Sequence, residues 1–179
     1  MKRMRKSMNW LAVTVALILF VPAAKAQSQN PLSDPEIASV AVTANQIDVD
    51  YGQLALKKSH NADIRKFAET MISDHKNIIQ QATALAQRLH VTPKTNAMTQ
   101  SLLNGETATM KTLKAKSGTA FDKAYAQNEA AYHEAVVGAV KTKLIPETQN
   151  ADLKGLLQSV VPLLEHHTMM AKELASKFK

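Results

Sequence analysis

Residues 121–136 read FDKAYAQNEAAYHEAV, and the spacing of their apolar side chains decides the fold class. Phe121, Tyr125 and Tyr132 recur at steps of four and seven residues, so they fall on one side of an α-helix. The same periodicity extends in both directions from this stretch. It predicts an amphipathic helix over about residues 119–143.

Three other parts of the chain carry the same pattern. They predict helices over residues 35–59, 61–90 and 150–179. Asp34 before Pro35 is typical of a helix start, because the carboxylate can cap the helix and proline lacks an N–H that would go unpaired there. No stretch shows the alternation of a half-buried strand, so the sequence predicts an all-α protein.

The connections between these helices indicate how they are arranged. Residues 95–116 form a weaker helical stretch, interrupted at Asn104-Gly105, whereas the other two connections are short. Two helical hairpins joined by a long crossover are the order of a ferritin-like four-helix bundle. We therefore predict this fold, with an extra short helix in the crossover. Pro162 lies inside the last helix and should kink it.

The composition excludes several chemistries. The chain has no Cys, which excludes disulfides, thiolate metal sites and a thiol nucleophile. Its five Gly form no phosphate-binding loop, so a nucleotide-dependent enzyme is not expected. The formal net charge is +7, but five of the 22 basic residues precede residue 27. The remaining 17 stand against 15 acidic residues, so no nucleic-acid partner is expected.

The N-terminal segment has the three regions of a secretory signal peptide. A basic start is followed by an apolar run over residues 11–21 and by the small-x-small pattern Ala24-Lys25-Ala26. The run is shorter than the roughly 20 residues that a membrane-spanning helix needs. We predict a signal peptide over residues 1–26, a disordered lead-in over 27–34 and one domain over 35–179. The mature protein would then be exported to the periplasm, without a transmembrane span.

Each predicted core helix places an ionisable side chain on or beside its apolar face. These residues are Asp48, His75, Glu129 with His133, and His167, in chain order. Four-helix bundles bind metals with carboxylate and imidazole groups that point inward from facing helices. The five residues are therefore candidate ligands for iron, manganese, zinc or copper, among which the ligand types do not decide.

Other functions remain open at this stage. Each histidine could instead donate a hydrogen bond to a backbone carbonyl or to a carboxylate such as Asp74. The protein would then be a structural or interaction bundle of the cell envelope without a metal, with an envelope partner or a second copy of itself. Asp74 or Glu129 beside a histidine could also act as an acid–base pair. No substrate pocket is legible, however, and no catalytic residue is predicted.

Four segments resemble motifs of a known family of exported bacterial domains, domain-of-unknown-function family 4142. The segments are IDVDYGQLAL (47–56), FAETMISDH (67–75), FDKAYAQNEAAYHEAV (121–136) and VPLLEHHTMMA (161–171). The resemblance covers nearly all of the mature chain. It implies a ferritin-like helical fold and export, and members are often labelled as outer membrane proteins. The family has no established activity.

The resemblance also implies which positions matter. By position, the histidines of the family motifs correspond to His75, His133 and His167, and Asp48 stands where the family usually has Glu. The chain departs from the di-iron ferritin pattern, which asks for Glu three residues before a ligand His. Ile72 and Leu164 occupy those positions here. A ferritin-type di-iron site is therefore not expected.

Overall fold

The computed structural model describes residues 30–178, and the regular secondary structure of these residues is entirely helical. The elements are α1 (Asp34–Lys58), α2 (Ala62–Arg88), α3 (Ala97–Lys114), α4 (Gly118–Ala139), a π-helical turn (Val140–Leu144), α5 (Ile145–Glu147) and α6 (Ala151–Ser176). The predicted all-α class is confirmed. The predicted signal peptide, residues 1–26, lies outside the described residues.

The four long helices form the predicted ferritin-like bundle. Helix α1 packs along α2, α4 packs along α6, and the two hairpins meet through α2 with α6 and α1 with α4. The crossover helix α3 lies along α1: Asn96 Nδ2 donates to the Glu36 carbonyl at one end, and Lys58 Nζ donates to the Lys114 carbonyl at the other. Because α3 returns the chain to the other end of the bundle, α2 and α4 run parallel.

The crossover is more regular than the sequence suggests. Helix α3 runs through Asn104-Gly105 without a break over 18 residues. A glycine inside a helix costs about 1 kcal/mol, which the packing of α3 on α1 offsets. The extra helix of the crossover is thus present and about five turns long.

The start of α1 differs from the prediction. The N-cap is Ser33, and Asp34 is the first helical residue. Ser33 donates from its N–H and its hydroxyl to the Glu36 carboxylate, at 3.0 and 2.6 Å. The Asp34 carboxylate is therefore free to accept the N–H groups of Gln149 and Asn150, both at 2.9 Å. These bonds hold the start of α1 against the start of α6.

The last two long helices, α4 and α6, can be compared with their predicted bounds. Helix α4 stops at Ala139 and continues as the π-helical turn, so the helix predicted to about residue 143 changes its hydrogen-bonding pattern near its end. Helix α6 continues through Pro162 to Ser176. No helix of the described part of the chain is long and apolar enough to cross a membrane.

A polar layer divides the hydrophobic core into two clusters. One cluster surrounds Phe121 and Tyr125 and includes Met71 on α2. The other surrounds Leu157 and includes Ile78 on α2. Between these clusters every long bundle helix contributes a buried polar residue. The fold thus places an ionisable layer near the middle of the bundle, away from solvent.

Candidate metal centre

The five predicted ligands lie in this polar layer. Asp48 lies on α1, His75 on α2, Glu129 and His133 on α4, and His167 on α6, each at most 3% exposed. They form two overlapping groups, His75 with His133 and His167, and Asp48 with Glu129 and His133. Within each group the candidate ligand atoms lie within 4.8 Å of one another. Asp48 lies ten residues before the end of α1 and His75 lies thirteen residues after the start of α2, a difference in depth of about 4–5 Å at a rise of about 1.5 Å per residue.

The side-chain atoms of these residues nevertheless lie close together. Asp48 Oδ2 lies 3.4 Å from His75 Nε2 and 3.1 Å from His133 Nε2. The side chains of Asp48, His75 and His133 thus meet although their positions along the helices are unequal.

The tautomer of His133 follows from its own helix. Its Nδ1 lies 3.0 Å from the backbone carbonyl of Glu129, one turn earlier on α4. A carbonyl oxygen can only accept, so Nδ1 carries the proton. The Nε2 atom is left with a lone pair, which is the form of imidazole that binds a metal.

Asn45 fixes the tautomer of His75 in the same way. The Asn45 Nδ2 group donates to the Ala41 carbonyl at 2.7 Å, so its Oδ1 is the atom that faces His75. This oxygen accepts from His75 Nδ1, also at 2.7 Å. His75 Nε2 therefore has a lone pair as well, and it lies 3.4 Å from His133 Nε2.

His167 forms its hydrogen bond through Nε2, whereas His75 and His133 use Nδ1. Its Nε2 donates to Asp74 Oδ2 at 2.9 Å, and the Asp74 side chain is 34% exposed. The other ring nitrogen, Nδ1, is buried without a hydrogen-bond partner. The His167 ring centroid lies 5.1 Å from that of His75 and 5.5 Å from that of His133. Each of the three rings thus uses one nitrogen as a donor and keeps the other as a lone pair.

The carboxylates of the layer are also unpartnered. None of the four oxygens of Asp48 and Glu129 makes a hydrogen bond, although Asp48 Oδ2 lies close to two Nε2 atoms. A buried polar atom without a partner costs about 1–3 kcal/mol. Such a concentration of acceptors in one layer needs an explanation other than packing.

Burial sets the charge of these groups when no metal is bound. It lowers the pKa of His75 to about 2 and that of His133 to about 4, and it lowers the pKa of His167 despite the opposing bond from Asp74. Burial raises the pKa of Asp48 to about 8 and that of Glu129 well above its ordinary value. The metal-free layer is therefore neutral, with uncharged imidazoles and protonated carboxyl groups.

The spacing of the acceptor atoms fits a shared metal ion. Two ligands of a tetrahedral ion, each about 2.0 Å from the metal, lie about 3.3 Å apart. The three atoms His75 Nε2, His133 Nε2 and Asp48 Oδ2 lie 3.1–3.4 Å from one another. On losing their protons, Asp48 and Glu129 would supply two negative charges, which balance a divalent cation. The donor set thus fits a divalent transition metal in both distance and charge.

Two residues outside the predicted ligand set support the histidines. Asn45 was not predicted, because an amide on a helix face is unremarkable until its partner is known. Asp74 was predicted as a possible carboxylate partner of a histidine, and it accepts a hydrogen bond from His167 on another helix. Its position one residue before a core histidine was the available signal. His60, His90 and His166 are exposed and lie outside the centre.

Fold and site together define a ferritin-like four-helix bundle with a buried histidine–carboxylate layer. The chain belongs to the family described as domain of unknown function DUF4142, whose model matches residues 20–174. No curated protein sequence matches the chain. Among solved structures, the chain is similar to CopM in the Cu(II)-bound form, with a TM-score of 0.62 and 14% sequence identity. The similarity covers 83% of this chain and 99% of that one, and it supports the fold.

Proposed function

We propose that this protein binds one divalent transition-metal ion in the polar layer of its bundle. His75 and His133 would bind through Nε2, His167 through Nδ1, and Asp48 through a carboxylate oxygen, with Glu129 as a further ligand or charge partner. The observation that carries the proposal is the convergence of three buried ligand atoms, His75 Nε2, His133 Nε2 and Asp48 Oδ2, which lie 3.1–3.4 Å from one another.

Copper(II) is the metal that we propose to test first. Imidazole nitrogen suits zinc, copper, iron and nickel, and among divalent ions of this series copper binds a given site most tightly. The relative with the same fold, CopM, was solved in a Cu(II)-bound form, which supports testing copper first. Zinc(II) is the next choice on ligand type. Iron(II) and manganese(II) rank lower, because both bind more weakly in this order.

The alternative is a structural bundle whose histidines are satisfied by core hydrogen bonds. The bonds to the Glu129 carbonyl, to Asn45 and to Asp74 explain one nitrogen of each ring. They do not explain why the second nitrogens lie together with two buried carboxyl groups in one layer. The metal proposal explains both sets of atoms, and we therefore prefer it.

The direct experiment measures metal content. The full chain would be expressed without a tag, stripped with a chelator, dialysed against equal concentrations of copper(II), zinc(II), iron(II) and manganese(II), and analysed for bound metal. We expect about one metal ion per chain, mainly copper, and loss of that metal in His133→Ala and His133→Gln. His60→Ala and His90→Ala are matched controls, because both residues are exposed histidines near helix ends.

Folding must be measured in the same samples. The His133→Gln variant replaces the ring by a side chain that keeps a polar group in the layer, and its circular dichroism should remain helical. Metal content equal to that of a buffer blank in the folded wild-type protein would contradict the proposal. Equal loss of metal in the His60 and His90 variants would place binding on the surface instead.

Export is the second part of the proposed function. The predicted signal peptide would direct the chain to the periplasm, where signal peptidase would cut after Ala26. The intact mass of protein recovered from the periplasmic fraction should then correspond to a chain that begins at Gln27. A mass that includes residues 1–26 would contradict cleavage.

A further inference from the structure

A second site is suggested by a deep cleft beside the polar layer. The cleft has a volume of about 600 Å³ and is bordered by α1, α2, α3, α4 and α6. Its wall under α3 is mostly aliphatic and includes Leu102, Val136 and Leu157. This volume lies within the range of about 300–1,000 Å³ that is usual for small-molecule sites.

The packing of α3 explains why the cleft exists. Of the 18 residues of α3, Thr99 near its start and Leu113 near its end are the two that are buried. Between these two anchors α3 spans the groove without filling it. The α3 residues that border the cleft run from Met98 to Thr109, which is about 17 Å at a rise of about 1.5 Å per residue. The cleft is therefore elongated along the helix.

Several polar side chains of the cleft lie near the polar layer. Asn45, Thr109 and Asn128 border it at the level of the polar layer, where Tyr132 donates its hydroxyl to the Ala44 carbonyl at 2.9 Å. The Asn128 Nδ2 atom is buried and has no hydrogen-bond partner. Asp34, Ser101, Glu106 and Asn150 also border the cleft, and most of the other lining residues are aliphatic. A ligand would thus find a free hydrogen-bond donor, Asn128 Nδ2, beside a long and mostly apolar wall.

The charges of the cleft select the kind of head group. None of the residues that border it is Lys, Arg or His, and the two acidic ones are Asp34 and Glu106. Asp34 is engaged by the N–H groups of Gln149 and Asn150. Burial and the nearby Asp50 raise the pKa of Glu106, which indicates an environment unfavourable to added negative charge. A carboxylate or phosphate head would have no cation to pair with.

From this geometry we infer that the cleft binds an uncharged, elongated amphiphile such as a long-chain alcohol. Its chain would lie between α3 and α4, and its head would accept a hydrogen bond from Asn128 Nδ2. The inference does not depend on metal binding, because the cleft residues do not include any of the five proposed metal ligands.

Binding can be tested with three probes that share one chain and differ in their head group. Tetradecanol, tetradecanoate and tetradecylamine would be titrated, below their aggregation limits, against the full-chain protein carrying a neutral fluorescent reporter such as N-phenylnaphthylamine. We expect tetradecanol to displace the reporter at least ten times more effectively than tetradecanoate. Displacement that is strongest with the amine or the carboxylate would overturn the neutral-head assignment, and no displacement by any probe would overturn the site.

Two glycines provide a matched pair of variants that should fold. Gly105 borders the cleft, Gly155 does not, and a Cβ atom at either position would meet no atom within 4 Å. Leucine is also a better helix former than glycine, so both variants should be at least as stable as the wild type. Gly105→Leu should weaken tetradecanol binding at least fivefold, and Gly155→Leu should leave it unchanged. Equal binding by both variants would contradict the location of the site.

Metal content and tetradecanol binding, measured on the same protein, separate this inference from the proposed function. A protein that binds no metal but takes up tetradecanol would refute the metal proposal and support the cleft. A protein that binds copper but not tetradecanol would support the metal proposal and refute the cleft as a binding site.

Discussion

At the residue scale, each histidine of the polar layer has two different nitrogens. The Glu129 carbonyl, the Asn45 amide oxygen and the Asp74 carboxylate each accept one ring N–H. These bonds orient the rings and hold a lone pair of each toward the centre. Hydrogen-bond acceptors behind metal-binding histidines are a common feature of metalloproteins, because they fix the tautomer and raise ligand basicity.

Asp74 offers a direct test of this arrangement. Removal of a carboxylate behind a ligand histidine typically costs 10–100-fold in metal affinity. We expect Asp74→Ala to weaken copper binding by about that factor, and Asp74→Asn by less, because the amide oxygen can still accept from His167 Nε2. Competition titration with a chelator of known affinity measures the change.

The matched control for Asp74 is Asp63→Asn. Asp63 is an exposed carboxylate on the same helix and pairs with Lys177 at 2.9 Å. The Asp63→Asn substitution should leave copper affinity unchanged. Equal affinities for wild type and Asp74→Ala would show that His167 is not a ligand or that its orientation does not matter.

The raised pKa of Asp48 should make the stability of the metal-free protein depend on pH. Its pKa is raised from 3.8 to about 8 by burial, so between pH 6.5 and 8 the folded chain holds a proton that the unfolded chain has lost. Unfolding then releases a proton, and the free energy of unfolding should decrease as pH rises, by about 1.4 kcal/mol per pH unit from this group. Urea denaturation of the metal-free protein at several pH values measures the slope.

The Asp48→Asn variant removes that titration. Its free energy of unfolding should fall less steeply with pH than that of the wild type over the same window. The histidines of the unfolded chain titrate around pH 6.5 and add a slope of the opposite sign, which both proteins share and which cancels in the comparison. An unchanged slope in the variant would contradict a protonated Asp48 in the metal-free fold.

At the element scale, the contact between α1 and α2 depends on Gly52. A Cβ atom at this position would lie 2.8 Å from Ile72 Cγ1 and 3.1 Å from the Ala68 carbonyl oxygen. The absence of a side chain therefore allows the two helices to approach closely. Because Gly52 is one turn from Asp48, this close approach also helps to place Asp48 near His75 on α2.

Substitution of glycine by alanine should have opposite effects at two helical positions. Gly52→Ala should destabilise the protein, because overpacking in a core typically costs about 1–3 kcal/mol and exceeds the gain in helix propensity. Gly155→Ala should stabilise it by up to about 1 kcal/mol, since its Cβ would point into open space. Thermal unfolding measures both. A Gly52→Ala protein as stable as Gly155→Ala would contradict the close approach.

The helices were predictable to different degrees. Apolar periodicity predicted the four long helices, because one face of each is buried along its length. The predicted N-cap of α1, Asp34, was wrong. Ser33 and Asp34 both have side chains that can cap a helix, and Asp34 instead accepts hydrogen bonds from the distant Gln149 and Asn150. The continuity of α3 through Gly105 depends on packing against α1, which local sequence does not reveal.

At the scale of the whole molecule, two apolar clusters enclose a polar layer. The five candidate ligands were predictable because each interrupts an apolar stripe. Their convergence was not, because it depends on helix stagger, which a single sequence does not determine. The cleft was missed for a similar reason: it is created by the way α3 is anchored at its two ends, and no local motif marks it.

The enclosure of the layer also couples metal binding to folding. An ion held by side chains from four helices binds the folded chain and not the unfolded one, so it should raise the free energy of unfolding by about 2.7 kcal/mol when free metal is at 100 times its dissociation constant. The proposed centre would thus join the two hairpins of the bundle through His75 and Asp48 on one side and His133 and His167 on the other.

Crystals of the full-length or processed protein grown with copper(II) would test the metal centre most directly, by an anomalous difference map at the copper edge. The proposal predicts one strong peak about 2.0–2.2 Å from His75 Nε2, His133 Nε2 and His167 Nδ1, with an Asp48 oxygen as a further ligand. No peak in the polar layer, or peaks confined to exposed histidines such as His60, His90 and His166, would contradict it.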